Sequence, residues 1–271
     1  MPYAKSSQLQ LYYQRQGRGC PVLFLPGTGS DLRCKANIFN TCLADRFDIL
    51  AIDHRGTGQS DKPDIPYSME QYALDAAAVM DAVGWQSAHV IGVSFGGMVA
   101  QELALRSPQR IRSLVLCCTT SGGAGGSSYP LHELTRFSPD ERSRKMLGIR
   151  DTRYNQAWQA DHPEETKLKL AEEAADATPF MKEPDGIIGV TRQIEARSHH
   201  DTYERLPAIR IPTLVCGGTY DGQAKPEAVK KLHQKIPGAE LHFFDGGHNF
   251  LVEDPNAYQL IAATLERICS E

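Results

Sequence analysis

The chain has 271 residues, of which 41% are hydrophobic and 23% charged, and its formal net charge is -4. This is ordinary globular composition, long enough for one large α/β domain with a sizeable core. The mild negative charge argues against a nucleic-acid or anionic-membrane partner, whose surface would call for a basic excess.

Strand and helix signals alternate from the start. Leu9–Gln14 reads as a strand, and Pro21–Leu25 as a short buried strand ending at Pro26-Gly27-Thr28-Gly29. Phe47–Ile52 is another, ending at Asp53. Tyr67–Val83 has helical periodicity, with Ser68 as N-cap, Gln71 completing a capping box, and Gly84 just past the end. Ala88–Val93 reads as a strand, Phe95–Arg106 as a helix stopped before Pro108, and Arg112–Cys118 as a further strand. The alternation then breaks. Residues 119–128 form a flexible glycine- and serine-rich segment, and from Leu131 to about Tyr203 only helices are expected: Pro139–Leu147, Arg153–Ala160, Pro163–Ala177 and Asp185–Arg197. Strand grammar resumes with Thr213–Cys216, a helix Pro226–Lys235, a strand Glu240–Phe244 and a last helix Pro255–Cys269. Repeated strand–helix alternation with short buried strands implies a mostly parallel sheet with helices on both faces. The all-helical stretch implies an insertion, expected over residues 122–206, seated over one end of a core made of 1–121 and 207–271.

The seven cysteines are an odd number with no Cys-x-x-Cys pair, and Cys117, Cys118 and Cys216 lie in apolar runs where the thiol acts as a small hydrophobe. A reduced compartment without structural zinc is expected. The N-terminal residues Met1–Ser7 lack the apolar core of a signal peptide, and no apolar run approaches the length of a membrane span. The expected location is therefore the cytoplasm. Basic residues gather at Arg142, Arg144, Lys145, Arg150 and Arg153, but interleaved acids make this a solvated helix face.

Chemistry is suggested first by Gly92-Val93-Ser94-Phe95-Gly96-Gly97, which stands between a strand and a helix. A serine at so sharp a turn needs small neighbours, because the two backbones approach closely there; Gly92 and Gly96 supply the room. The turn would present the hydroxyl at a helix N-terminus, whose N–H groups favour negative charge. The alternative is a glycine-rich turn with an ordinary serine. A serine hydroxyl is a poor nucleophile until a base lies within hydrogen-bond reach and a carboxylate orients that base. Such partners belong on loops at the carboxyl ends of other strands. Asp221, on a glycine-flanked loop after Thr213–Cys216, reads equally as a turn aspartate or as the orienting carboxylate. His248 follows Gly246-Gly247 at the end of Glu240–Phe244. Of nine histidines it alone follows a late strand with glycines beside it. His54 lies in a tight Gly56/Gly58 turn, and His199-His200 reads as a solvated pair within the insertion.

The order Ser94, Asp221, His248 resembles that of the α/β-hydrolase fold. Leu25-Pro26-Gly27-Thr28-Gly29-Ser30 resembles that family's oxyanion loop, Asp53–Ser60 its Asp-x-Arg-Gly-x-Gly-x-Ser turn, Gly92–Met98 its nucleophile elbow, and Gly218–Asp221 and Gly246–His248 its acid and base loops. The resemblance covers residues up to about 120 and from about 207 onward. It implies an eight-stranded, mostly parallel sheet with a helical cap, a catalytic set of Ser94, Asp221 and His248, and an oxyanion hole from the backbone N–H groups of Thr28 and Phe95. Pro26-Gly27 departs from the family's common His-Gly, but the hole uses a backbone donor and should survive. Asp53 and Arg55 are expected to hold the turn. The resemblance further implies a serine esterase or enol-lactonase acting on a small ester or lactone, with no cofactor and no metal. Two other readings stay open. One is hydrolysis of a carbon–carbon bond in a diketone by the same three residues; the other is a non-catalytic small-molecule binder on the same fold. Serine at the elbow sets the chain apart from haloalkane dehalogenases and epoxide hydrolases, which carry aspartate there. The Gly-Gly-Pro-Gly type loop of proline-specific aminopeptidases is absent. Tyr129, Phe137, Tyr154, Trp158 and Phe180 are candidates for a cap pocket or, more commonly, for cap–core packing.

Overall fold

Apolar runs without polar interruption become strands buried on both sides, and they carry the architecture. The computed structural model describes residues 2–175, 183 and 185–270. In chain order its elements are β1 (Tyr3–Ser6), β2 (Leu9–Gly17), β3 (Pro21–Leu25), β4 (Asp48–Ile52), α1 (Met69–Ala82), β5 (Ala88–Val93), α2 (Phe95–Arg106) and β6 (Ile111–Cys117). Then come α3 (Pro139–Arg150), α4 (Gln156–Asp161), α5 (Pro163–Ala175), α6 (Gly186–Ser198), β7 (Thr213–Gly218), α7 (Pro226–Lys235), β8 (Glu240–Phe244), α8 (Phe250–Glu253) and α9 (Ala257–Cys269).

The eight strands form one sheet in the order β1-β2-β4-β3-β5-β6-β7-β8. Pairings of β2 with β1 and β4 are antiparallel; the rest, from β4 through β8, are parallel. Successive side chains of a strand point to opposite faces. Thus Leu23, Leu25, Leu50 and Ile52 join one core with Tyr72 and Val79 of α1, Leu103 of α2 and Leu232 of α7. Val22, Phe24, Ile49 and Ala51 join the other with Phe250 of α8 and Ile261 and Leu265 of α9. Helices cover both faces, so the carboxyl ends of the parallel strands are where a site can open.

Several expectations are met in detail. Ser68 and Gln71 form the reciprocal capping box of α1. Cys117, Cys118 and Cys216 are buried free thiols. Others are corrected. The strand β1 escapes a search for apolar runs because only Ala4 and Ser6 of its four residues are buried. The helix expected at Arg153–Ala160 is split, since the Asn155 side chain accepts from Trp158 N and starts α4 afresh after a 3-10 turn. The helix expected at Pro163–Ala177 is described to Ala175; Ala177 and the candidate pocket residue Phe180 lie outside the described residues. The glycine- and serine-rich segment is built into the fold: Thr119, Thr120 and Ser121 are buried, and Gly122 bridges to Asp201. The cysteines are not all reduced, because Cys20 and Cys269, 249 residues apart, form a disulfide beside His89. Nor is His199-His200 a solvated pair. The Thr202 N–H donates to Ser121 O (2.8 Å) where the chain returns toward β7, and this draws His200 inside while His199 stays exposed. Among the described residues no helix is long and apolar enough to cross a membrane.

Candidate active site

Four loops meet at the carboxyl ends of β3, β5, β7 and β8. The turn after β5 is the tightest. A Cβ on Gly92 would lie 2.5 Å from Gly96 O, and one on Gly96 would lie 2.0 Å from Leu25 O. Only glycine permits this meeting of strand and helix. Between them Ser94 adopts φ 53°, ψ -112°, a conformation that costs a non-glycine residue of order 1–3 kcal/mol. Surrounding bonds hold it there: Ser94 N–H donates to Cys117 O (2.8 Å), and Thr119 Oγ1 donates to Ser94 O (2.8 Å).

The structure brings the three predicted side chains together. The Ser94 hydroxyl lies 3.0 Å from His248 Nε2, and His248 Nδ1 lies 2.8 Å from Asp221 Oδ2. Asp221 is 1% exposed. Its other oxygen, Oδ1, accepts from the backbone N–H groups of Gln223 (2.7 Å) and Ala224 (2.8 Å). This leaves Oδ2 for the imidazole. Accordingly Nδ1 carries the proton and Nε2 presents its lone pair to the serine.

Of the predicted oxyanion residues, Phe95 directly follows the serine, and the loop that carries Thr28 approaches it through Gly27. Phe95 is the first residue of α2, a position whose N–H has no acceptor one turn earlier in the helix. Gly27 stands against the serine; a Cβ there would be 3.6 Å from Ser94 Cβ. Pro26 O accepts from His54 Nε2 (3.2 Å), and burial holds that imidazole down to about 4. Asp53 ties this loop to the next by accepting from Leu32 N and Gln59 N (both 2.8 Å). Its burial outweighs those bonds and lifts the carboxyl to about 6. Beneath, Arg55 and Asp75 form a buried bidentate pair, so both residues of that turn are structural, as expected.

One participant escaped sequence reasoning. The Gln223 side-chain amide lies 3.0 Å from His248 Nε2 and 3.5 Å from Ser94 Oγ. Glutamine carries no intrinsic catalytic signal; the available hint was its position two residues past Asp221 in the same loop. The helical insertion is fastened to these loops by its backbone. Tyr129 N donates to Gln223 O (2.8 Å), Thr152 N to Tyr220 O (2.9 Å), and Arg150 O accepts from His248 N (2.6 Å). A Cβ on Gly247 would sit 2.3 Å from Arg150 O, so this approach requires the glycine. A cavity of about 120 Å³, lined in part by Gly27, Val93 and His248, reaches the site.

Residues 21–255 match the family described as the alpha/beta hydrolase fold. The chain is an α/β hydrolase. It is 31% identical over 271 residues to a protein of Azorhizobium caulinodans carrying the name carbamate hydrolase RutD, covering 95% of each chain. It is 30% identical over 234 residues to the poly(3-hydroxyalkanoate) depolymerase of Ectopseudomonas oleovorans, covering 86% of this chain and 79% of that one. Its fold is similar to the crystal structure of the enol-lactonase from Burkholderia xenovorans LB400, with TM-score 0.77, 25% identity and 100% of both chains covered. The hydrolase's candidate pocket aromatics divide by role. Tyr129 lines a cavity, whereas Trp158 stacks on His162 and meets Tyr154 at a tilt, and Phe137 lies beneath Lys145. Among the described residues one group has side chains close enough to share a metal ion, Cys20, His89 and Cys269. It lies at the amino ends of β3 and β5, away from Ser94, and the disulfide occupies both sulfurs.

Proposed function

We propose that the protein is a serine hydrolase that cleaves a small carboxylic ester or lactone through an acyl-enzyme. The observation that carries this reading is the unbroken relay from Ser94 Oγ to His248 Nε2 (3.0 Å) and from His248 Nδ1 to Asp221 Oδ2 (2.8 Å). Ser94 Oγ attacks the carbonyl carbon as Nε2 takes its proton. The resulting imidazolium is stabilised by Asp221, already fixed by two backbone donors. The oxyanion is received by the N–H groups of Phe95 and Thr28, a pair whose members are typically worth about 3 kcal/mol each. Collapse expels the alkoxide, which takes the proton from Nε2. Water, deprotonated by the same nitrogen, then releases the acid and restores the hydroxyl. Every proton lost by a nucleophile passes to a leaving group, so the cycle closes on these three side chains.

In this reading residues 122–206 act as a cap that shapes the substrate space, fastened through Tyr129, Arg150 and Thr152 to the acid and base loops. The names of the relatives, a carbamate hydrolase, a poly(3-hydroxyalkanoate) depolymerase and an enol-lactonase, support acyl chemistry at this site. The test is Ser94→Ala assayed on p-nitrophenyl butyrate, with mass detection of a fluorophosphonate adduct on the native chain. The expected result is a loss of at least about 10³-fold and an adduct that requires Ser94. Undiminished turnover in the variant would overturn the mechanism.

A further inference from the structure

On α6, Arg197 is 7% exposed. Its guanidinium donates to Ser128 Oγ (2.6 Å) and to Thr28 Oγ1 (3.3 Å), two neutral hydroxyls. Among the described residues no carboxylate lies within ion-pairing distance of it; the salt bridges involve other arginines, lysines and His248. Burial lowers the group only to about 10, so it stays charged at neutral pH. A buried cation without a counter-ion is costly, and the protein's other deeply buried arginine, Arg55, has Asp75.

The guanidinium lines a cavity of about 210 Å³ that also touches Thr120, Ser128 and Tyr129, with no aspartate or glutamate among the described residues of its wall. One helical turn earlier, Gln193 shares that face of α6. Its Oε1 accepts from Gly29 N (2.7 Å), whereas its buried Nε2 has no acceptor among the described residues. The oxyanion-loop residues Thr28 and Gly29 are thus met by a helix face that brings one positive charge, spare N–H donors and no negative charge.

We propose that this cavity receives a carboxylate of the substrate on Arg197, so that the preferred ester or lactone is anionic. The proposal rests on the ester and lactone reading above and narrows it. A guanidinium has five N–H donors in a planar fork, of which the two hydroxyls use two. The three donors that remain suit recognition of a carboxylate. The link between this cavity and the site is the contact of the same guanidinium with Thr28 of the oxyanion loop.

The test compares p-nitrophenyl hydrogen glutarate with p-nitrophenyl butyrate, which places the charge on the acyl side. It also compares the butyrate ester of 4-hydroxybenzoate with phenyl butyrate, which places it on the alcohol side. For one of the two pairs the native enzyme should favour the anionic ester by about tenfold or more in kcat/KM, and Arg197→Met should bring that ratio to about one, with Arg197→Lys in between. A purely structural arginine would lower both members of a pair together and leave the ratio unchanged. That result, or no anionic preference in either pair, would overturn the proposal. Calorimetric titration of Ser94→Ala with glutarate separates this failure from failure of the hydrolase reading, since it needs no turnover. Glutarate should bind, its dimethyl ester should not, and adding Arg197→Met should weaken glutarate about 30-fold, or ~2 kcal/mol. Absence of glutarate binding sinks the proposal even if Arg197→Met fails to fold.

Discussion

Acidification should destabilise this protein well before its surface carboxylates titrate. His54, His89 and His200 are each almost fully buried, and burial is the largest influence holding each of them at about 4, against an ordinary value of 6.5. The unfolded chain therefore binds more protons than the folded one between these values, and stability falls as pH drops through that window. From pH 7 to pH 5 each histidine removes about 2 kcal/mol. Asp53 acts in the opposite sense. Its folded carboxyl holds a proton up to about 6 against 3.8 when unfolded, so the folded state gains about 1 kcal/mol over the same interval. The net loss is about 4–5 kcal/mol, a large part of the 5–15 kcal/mol typical of a domain. Urea unfolding at constant ionic strength, followed by circular dichroism, should show the midpoint lowered by about 1 M or more at pH 5. A midpoint that is unchanged or higher at pH 5 would refute the assignment of three neutral buried imidazoles.

Two further outcomes follow from the site. Gly96→Ala places a Cβ 2.0 Å from Leu25 O and 2.7 Å from Pro26 O, both backbone atoms that no rotamer can move. A loss of about 3 kcal/mol and roughly 10 °C in Tm is expected, and a Tm equal to that of the native chain would contradict the close approach. Gln223→Leu removes an amide that competes with the Ser94 hydroxyl for the lone pair on His248 Nε2. One hydrogen bond of ordinary strength predicts acylation faster by about two- to tenfold in single-turnover kinetics; a slowing by about tenfold would instead make the amide an aid to the reaction.

The parallel sheet and the three meeting side chains were legible because each rests on local rules. Short apolar runs make strands. Glycine marks the two backbones that touch at Gly92 and Gly96. Asp221 and His248 follow strand ends, where such sheets collect their functional groups. What stayed hidden depends on distant approach. Gln223 reaches His248 only because its loop and that of Gly247 are packed together, and Arg197 is one basic residue among many in a charged helical stretch until folding buries it against Thr28. His200 looked solvated because the bond from Thr202 to Ser121 spans 81 residues. Cys20 and Cys269 pair across nearly the whole chain, which no spacing rule reveals.

The backbone at Ser94 has a consequence for engineering. Its φ of 53° is one glycine would adopt at little cost, whereas serine occupies it only because neighbouring bonds insist. Selection of random variants for heat resistance alone will thus tend to enrich Ser94→Gly, a sturdier molecule stripped of its proposed nucleophile. Any campaign to harden this protein therefore has to score turnover in the same round, since at this position durability and chemistry pull in opposite directions.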